Sequence, residues 1–154
     1  MSDKTYIKKM GHRLLFEEGA WIAAGFFRDG DGNTWHLSGR TEISHRDDRW
    51  INNGIMEIEG DTPIRIESIY EIVPFERGSD ATTWSSENPD LGTLVGTYAV
   101  VGDSILSAFR TQDSSFYGTE YFKNVDHDTY ASRGVLLHHG KIVSSWSQTL
   151  TRRA

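Results

Sequence analysis

From residue 19 onward, apolar and polar side chains alternate in short runs, and no window repeats with the period of about 3.6 residues that a helix requires. About ten runs rich in β-branched and aromatic residues stand out: Gly19–Phe27, Thr34–Ser44, Trp50–Glu59, Ile64–Phe75, Ala81–Ser86, Thr93–Val101, Ser104–Thr111, Phe116–Val125, Thr129–Leu137 and Ile142–Arg152. Each predicts a strand. The segments between them ("RDGDGN", "HRDD", "GDTP", "ERGSD", "ENPDLG", "GD", "QDSS", "DHD", "HHGK") are short and rich in residues that tolerate turn dihedrals. Consecutive antiparallel strands joined by tight turns form a meander, and a long meander removes its exposed edges by closing into a barrel. A two-sheet sandwich is the competing architecture, but its Greek-key crossovers need longer connections than these. Residues 1–18 read as a short helix or arm, and 19–154 as one β-barrel domain.

"GAW" at Gly19–Trp21, opening the first run, and Arg152 and Arg153, ending the last, resemble the structural signature of the calycin superfamily, which includes lipocalins and fatty-acid-binding proteins. The resemblance implies a tryptophan from the first strand covered by a basic side chain from near the C-terminus, at the closed end of a barrel. Ten strands are more similar to the fatty-acid-binding and nitrobindin-like branches than to the eight-stranded lipocalins. A nitrobindin-type haem site needs a well-placed histidine and a fuller glycine-rich opening than "GAWIAAG", so no cofactor is expected.

The turns also set the register, and through it the neighbours on each face. "VGDS" as a two-residue loop pairs Tyr98 with Ser107. "TQDSSF" as a four-residue loop pairs Ser107 with Glu120, and the turn at "DHD" sets Glu120 beside Gly134. The row Tyr98, Ser107, Glu120 and Gly134 is flanked by Val100, Ile105, Phe109, Phe116 and Phe122, whereas the opposite face carries Thr97, Arg110, Thr119, Tyr121, Lys123 and Arg133. The first face is therefore interior. A carboxylate there must be hydrogen-bonded or take up a proton, and Tyr98 and Ser107 stand within reach to satisfy it. Gly134 is expected to leave free volume beside the acid. Two further interior sets follow from alternation, Trp35, Leu37, Thr41 and Ile43, and Ile64, Ile66, Ser68, Tyr70 and Ile72. The last run has two readings: an undistorted turn sends Ser145, Ser147 and Thr149 inward, and a one-residue bulge sends Trp146, Gln148 and Leu150 there.

Composition narrows the function. A chain of 154 residues with 37% hydrophobic and 12% aromatic content can bury a core. With no cysteine there is no disulfide, thiolate nucleophile or Cys-based zinc site, which fits a reducing compartment, with the cytoplasm as the default. A net charge of -6 speaks against nucleic acid and anionic membrane surfaces as partners. His12, His36, His45, His127, His138 and His139 show no metal-ligand spacing on one face, no G-x-S-x-G elbow is present, and "DGDGN" at Asp29–Asn33 lacks the rest of an EF-hand and reads as a turn.

A small apolar or amphipathic molecule held inside the barrel is the leading expectation, with Tyr98, Ser107, Phe109, Glu120, Phe122, Tyr70, Trp84 and Trp146 as candidate binding residues. The alternative is a cofactor-independent isomerase, cyclase or hydratase using Glu120 and Tyr98 as catalytic residues. A polar network that merely specifies the core is the bland reading of the same residues. Ile22, Ala24 and Phe26 make the outer face of the first run unusually apolar, which implies cover by the N-terminal arm or a homodimer interface.

Overall fold

A computed structural model describes residues 11–153. Ten antiparallel strands, β1 (Gly19–Asp29), β2 (Thr34–His45), β3 (Trp50–Ile58), β4 (Ile64–Ile72), β5 (Ala81–Asn88), β6 (Gly92–Val101), β7 (Ser104–Thr111), β8 (Phe116–Asp126), β9 (Thr129–His138) and β10 (Lys141–Arg152), follow one another around a closed barrel, and β10 pairs with β1. The expected runs differ from these by a few residues at their ends. The largest difference is at β4, which stops at Ile72, because Pro74 has no N–H to give to a ladder.

Two turns show how local chemistry sets the register. Gly102, at φ 58, occupies the first position of the two-residue β6–β7 turn, the conformation of a type II′ hairpin, and Val101 pairs with Ser104 across it. His139 and Gly140, at φ 49 and 76, give the β9–β10 turn the two successive positive dihedrals of a type I′ hairpin. The β10 ladder then slips between Ile142 and Ser144, leaving Val143 as an extra residue. The bulge decides the face of the last strand: Gln148 and Leu150 are buried, with Trp146 on the same side. The undistorted alternative, with Ser145, Ser147 and Thr149 inward, is thereby excluded.

The ladders are continuous around the barrel except at one place. β4 pairs with β5 only at Tyr70–Ser86, Glu71–Ser85 and Ile72–Trp84, so Ile64–Ile69 run without a strand on that side. Ser86 adds one side-chain bond there, its Oγ donating to the Ile69 carbonyl at 2.8 Å.

One end of the barrel is plugged. Residues 11–18, expected as part of a helix or arm, form a chain of turns folded under the barrel, with Leu14, Leu15 and Phe16 at most 4% exposed. Phe16 packs on Phe75 at 4.8 Å and edge-on to Trp50 at 5.7 Å. His12 is tied on both ring nitrogens. Because Nε2 faces the Gly102 carbonyl at 2.9 Å it donates, so the Tyr130 hydroxyl donates to Nδ1 at 2.7 Å while accepting the Arg13 N–H at 3.2 Å. Arg13 also holds Asp128 at 2.6 Å. Residues 1–10 lie outside the described residues, as does any cover they give the first strand, whose Phe26 is 50% exposed among the residues described.

At the same end Trp21 is fully buried, and the Arg152 guanidinium lies 5.8 Å from its ring centre. Gly19 leaves room for that guanidinium, since a Cβ there would come within 2.8 Å of it. Arg152 also donates to the Glu18 carbonyl at 2.9 Å. Arg153 is exposed and takes no part in the stack. Arg152→Met keeps the stem and removes the cation, and is expected to cost about 1 to 2 kcal/mol in urea denaturation. An unchanged midpoint would show the stack to be energetically silent.

Candidate functional site

The register brings Tyr98 opposite Ser107, Ser107 opposite Glu120 and Glu120 opposite Gly134, and the bulge in β10 extends this interior row to Trp146, opposite Gly134. Within it, the side chains pair differently from what proximity on the strands suggests. The Trp146 indole lies flat across Gly134, where a Cβ would meet the ring at 2.2 Å, and its Nε1–H donates to Glu120 Oε2 at 2.6 Å. Ser132, one residue pair away, adds a longer bond to the same oxygen at 3.4 Å. Trp84 repeats the device on β5. Its indole covers Gly96, where a Cβ would meet it at 2.4 Å, and its Nε1–H donates to Ser107 Oγ at 3.1 Å.

Two expectations are corrected by this geometry. Ser107 and Tyr98 do not satisfy Glu120: the serine is engaged by Trp84, and the tyrosine hydroxyl makes no hydrogen bond to a described residue. Nor does Gly134 leave a void, since its missing side chain makes the berth of the Trp146 indole.

The void lies across the barrel instead. A cavity of about 140 Å³ opens between the β1–β4 wall and Glu120, beside Gly39 and Gly54, with Leu14 and Leu15 at its floor. Tyr70, Tyr98, Glu120 and Phe122 line it, and so do Ser68 and Gln148. Of the residues singled out in the sequence, Trp84, Ser107, Phe109 and Trp146 stand behind this lining. Trp84 forms an aromatic layer with Tyr70 at 5.0 Å, Tyr98 at 5.9 Å and Phe109 at 6.1 Å, and Trp146 reaches the cavity only through Glu120. Gly39, Gly54 and Gln148 were not foreseen as site residues. The two glycines carry a readable signal, being small residues at inward positions of otherwise large-residue strands.

Glu120 is deep in the protein, and the surface it keeps faces the cavity. Burial pushes its carboxyl up to about 7, against the opposing pull of the Trp146 and Ser132 hydrogen bonds. Both bonds fall on Oε2, and Oε1 has no partner among the described residues. Burial also pushes the Tyr70 and Tyr98 hydroxyls well up, with the nearby carboxyl adding to the effect. A larger depression of about 770 Å³ lies on the outer wall across β5–β8, along Val95, Thr97, Ala108 and Thr119. No buried acid or base faces it. No group of three or more metal-ligating side chains occurs among the described residues, and no described helix is long and apolar enough to cross a membrane.

No protein-family model and no curated protein matches the chain. Solved structures do. The S-type phycobiliprotein lyase CPES from Guillardia theta is similar over 100% of this chain and 94% of its own, at TM-score 0.61 and 10% identity. Rv2717c from M. tuberculosis is similar over 88% of this chain and 92% of its own, at TM-score 0.65 and 14% identity. At such identities the likeness is one of fold, a closed calycin-like barrel, and the Arg152–Trp21 stack fits that architecture.

Proposed function

We propose that this protein binds a small molecule in the cavity between Gly54 and Glu120, with the carboxyl as the polar anchor. One observation supports the reading above the rest: a deeply placed acid that lines the cavity has an oxygen without a partner among the described residues. A purely structural network would be closed, because a buried polar group without a partner costs about 1 to 3 kcal/mol. The Tyr70 and Tyr98 hydroxyls of the lining likewise bond no described residue. A cavity of about 140 Å³ is comparable to the roughly 150 Å³ that accommodates benzene, so the ligand has about the size of a single ring rather than of a fatty acid. The lyase of similar fold is named for a reaction on phycobiliproteins, which supports an interior put to use in this barrel shape and says nothing of this ligand.

Acid–base catalysis on the bound molecule is a second reading, favoured by a carboxyl pushed up to about 7, the range in which a general base works best at neutral pH. Glu120→Gln separates the two: lost affinity with no turnover in either form supports the anchor, whereas abolished turnover with affinity retained supports the catalyst.

The binding reading is tested by native mass spectrometry of the protein purified from its own host, beside Gly54→Leu. A Cβ at Gly54 meets only ordinary contacts, the nearest at 3.7 Å, so the longer side chain can extend into the cavity. The wild type is expected to carry an added small mass that Gly54→Leu lacks. A bare wild type, or the same mass on both, overturns the reading.

A further inference from the structure

The cavity has an electrostatic bias. Among the described residues it has one carboxyl, with an oxygen lacking a partner there, and no basic side chain enters to meet it: Arg40, at the border, turns its guanidinium to Glu42 on the outer face at 3.4 Å. The remaining polar lining is neutral. Thr41 donates to Asn52 Oδ1, and the Gln148 carboxamide, buried at the wall, makes no hydrogen bond to a described residue, its Oε1 being left without a partner. Tyr70 and Tyr98 in the lining bring aromatic rings and two phenol oxygens that can accept. Outside, the same sign prevails. The unpaired stretch of β4 contributes Ile66 and Ser68 to the cavity wall, and a hollow of about 550 Å³ over the β4–β5 seam is bordered by Glu67, Glu71 and Glu87. Arg65 and Arg49 answer Glu67 at 3.4 Å and Glu71 at 2.8 Å, whereas Glu87 accepts from the neutral Thr93 hydroxyl.

An anionic ligand would set two like charges in a poorly solvated space, and a neutral one would leave the carboxylate without a counter-charge. A cation supplies that charge, donates N–H groups to Glu120 Oε1 and the phenol oxygens, and sits against aromatic surface.

We infer that the ligand of this cavity is a small organic cation, a primary or secondary ammonium group on a hydrocarbon frame of about five or six carbons. The inference rests on the reading of the cavity as the binding site and adds the class of molecule it selects. Ionisation of Glu120 then strengthens binding. The other titratable groups facing it, Tyr70 on β4 and Tyr98 on β6, are held neutral by burial, and its contacts Ser132 and Trp146 do not titrate.

Cyclopentylamine, cyclopentanol and cyclobutanecarboxylate, of closely similar size, separate the possibilities when each is titrated into the full chain and followed by NMR at the Trp146 indole N–H. Cyclopentylamine is expected to bind at least tenfold more tightly than the other two. Its affinity should rise roughly tenfold between about pH 6 and about pH 8, as the carboxyl ionises while the amine stays charged. Glu120→Gln should weaken the amine at least tenfold and change cyclopentanol by no more than about threefold. Tighter binding of the alcohol or the carboxylate, or an amine affinity indifferent to Glu120→Gln, overturns the cation assignment and leaves the cavity reading intact. If none of the three binds, or Gly54→Leu binds the amine as well as the wild type, the cavity reading falls and the assignment with it.

Discussion

Glu120→Gln is expected to stabilise the protein by up to about 3 kcal/mol at about pH 8 and to leave its stability unchanged near pH 4. The folded carboxyl is raised from an ordinary 4.5 to about 7, so the folded chain holds that proton more tightly than the unfolded one. Its favourable contribution is therefore complete below about 4.5 and is lost as pH rises through 7. Glutamine accepts the Trp146 N–H without paying to bury a charge, so its stability should stay flat over the same interval. Urea denaturation at several pH values reads this directly. Parallel pH profiles for the two proteins would mean that the carboxyl is solvated well enough to ionise freely. A gain in stability at neutral pH on removing the acid is also what a site kept for binding, rather than for folding, would show.

Gly134→Ala is expected to cost about 3 to 5 kcal/mol, because two penalties coincide. A methyl group 2.2 Å from the Trp146 ring displaces an indole that cannot flex, and the displaced indole takes with it the 2.6 Å hydrogen bond to Glu120. The carboxyl, deprived of its principal donor, should then titrate at higher pH still. Gly96→Ala is the matched control. It strikes Trp84 at 2.4 Å in the same manner but disturbs Ser107 rather than the acid, so it should lose comparable stability with the Glu120 titration unmoved. If Gly134→Ala melts with the wild type, the indole has another place to go and the proposed support of the acid is wrong.

Much of the barrel was readable from alternation and turns, and the reasons are specific. "VGDS" and "TQDSSF" allow few loop geometries, and each fixes a strand pair and the face of every residue on it, which is why the row from Tyr98 to Gly134 follows from the chain alone. Trp146 was undecidable because its face turns on Val143, a single extra residue that the turn sequence does not demand. The hydrogen-bond partners of Glu120 were misread for a different reason. Register places Cα atoms, whereas an indole reaches sideways across a neighbouring strand wherever a glycine lets it lie flat. The same blindness put the void beside Gly134, whose space is taken, and missed it beside Gly54, whose space is free, and Gly39, which borders the cavity although the Ile55 carbonyl closes its own side-chain position. The plug was illegible because its turns carry no period. Leu14, Leu15 and Phe16 are buried by where the chain happens to pass.

The pairing of β1 with β10 has a consequence for how the protein is made. A barrel closed by β1 and β10 cannot finish until β10 has been made, so β1 leaves the ribosome with its backbone edge bare over Trp21–Asp29. Association with other nascent chains, or capture by a chaperone, competes with closure for as long as the last strand is still to come.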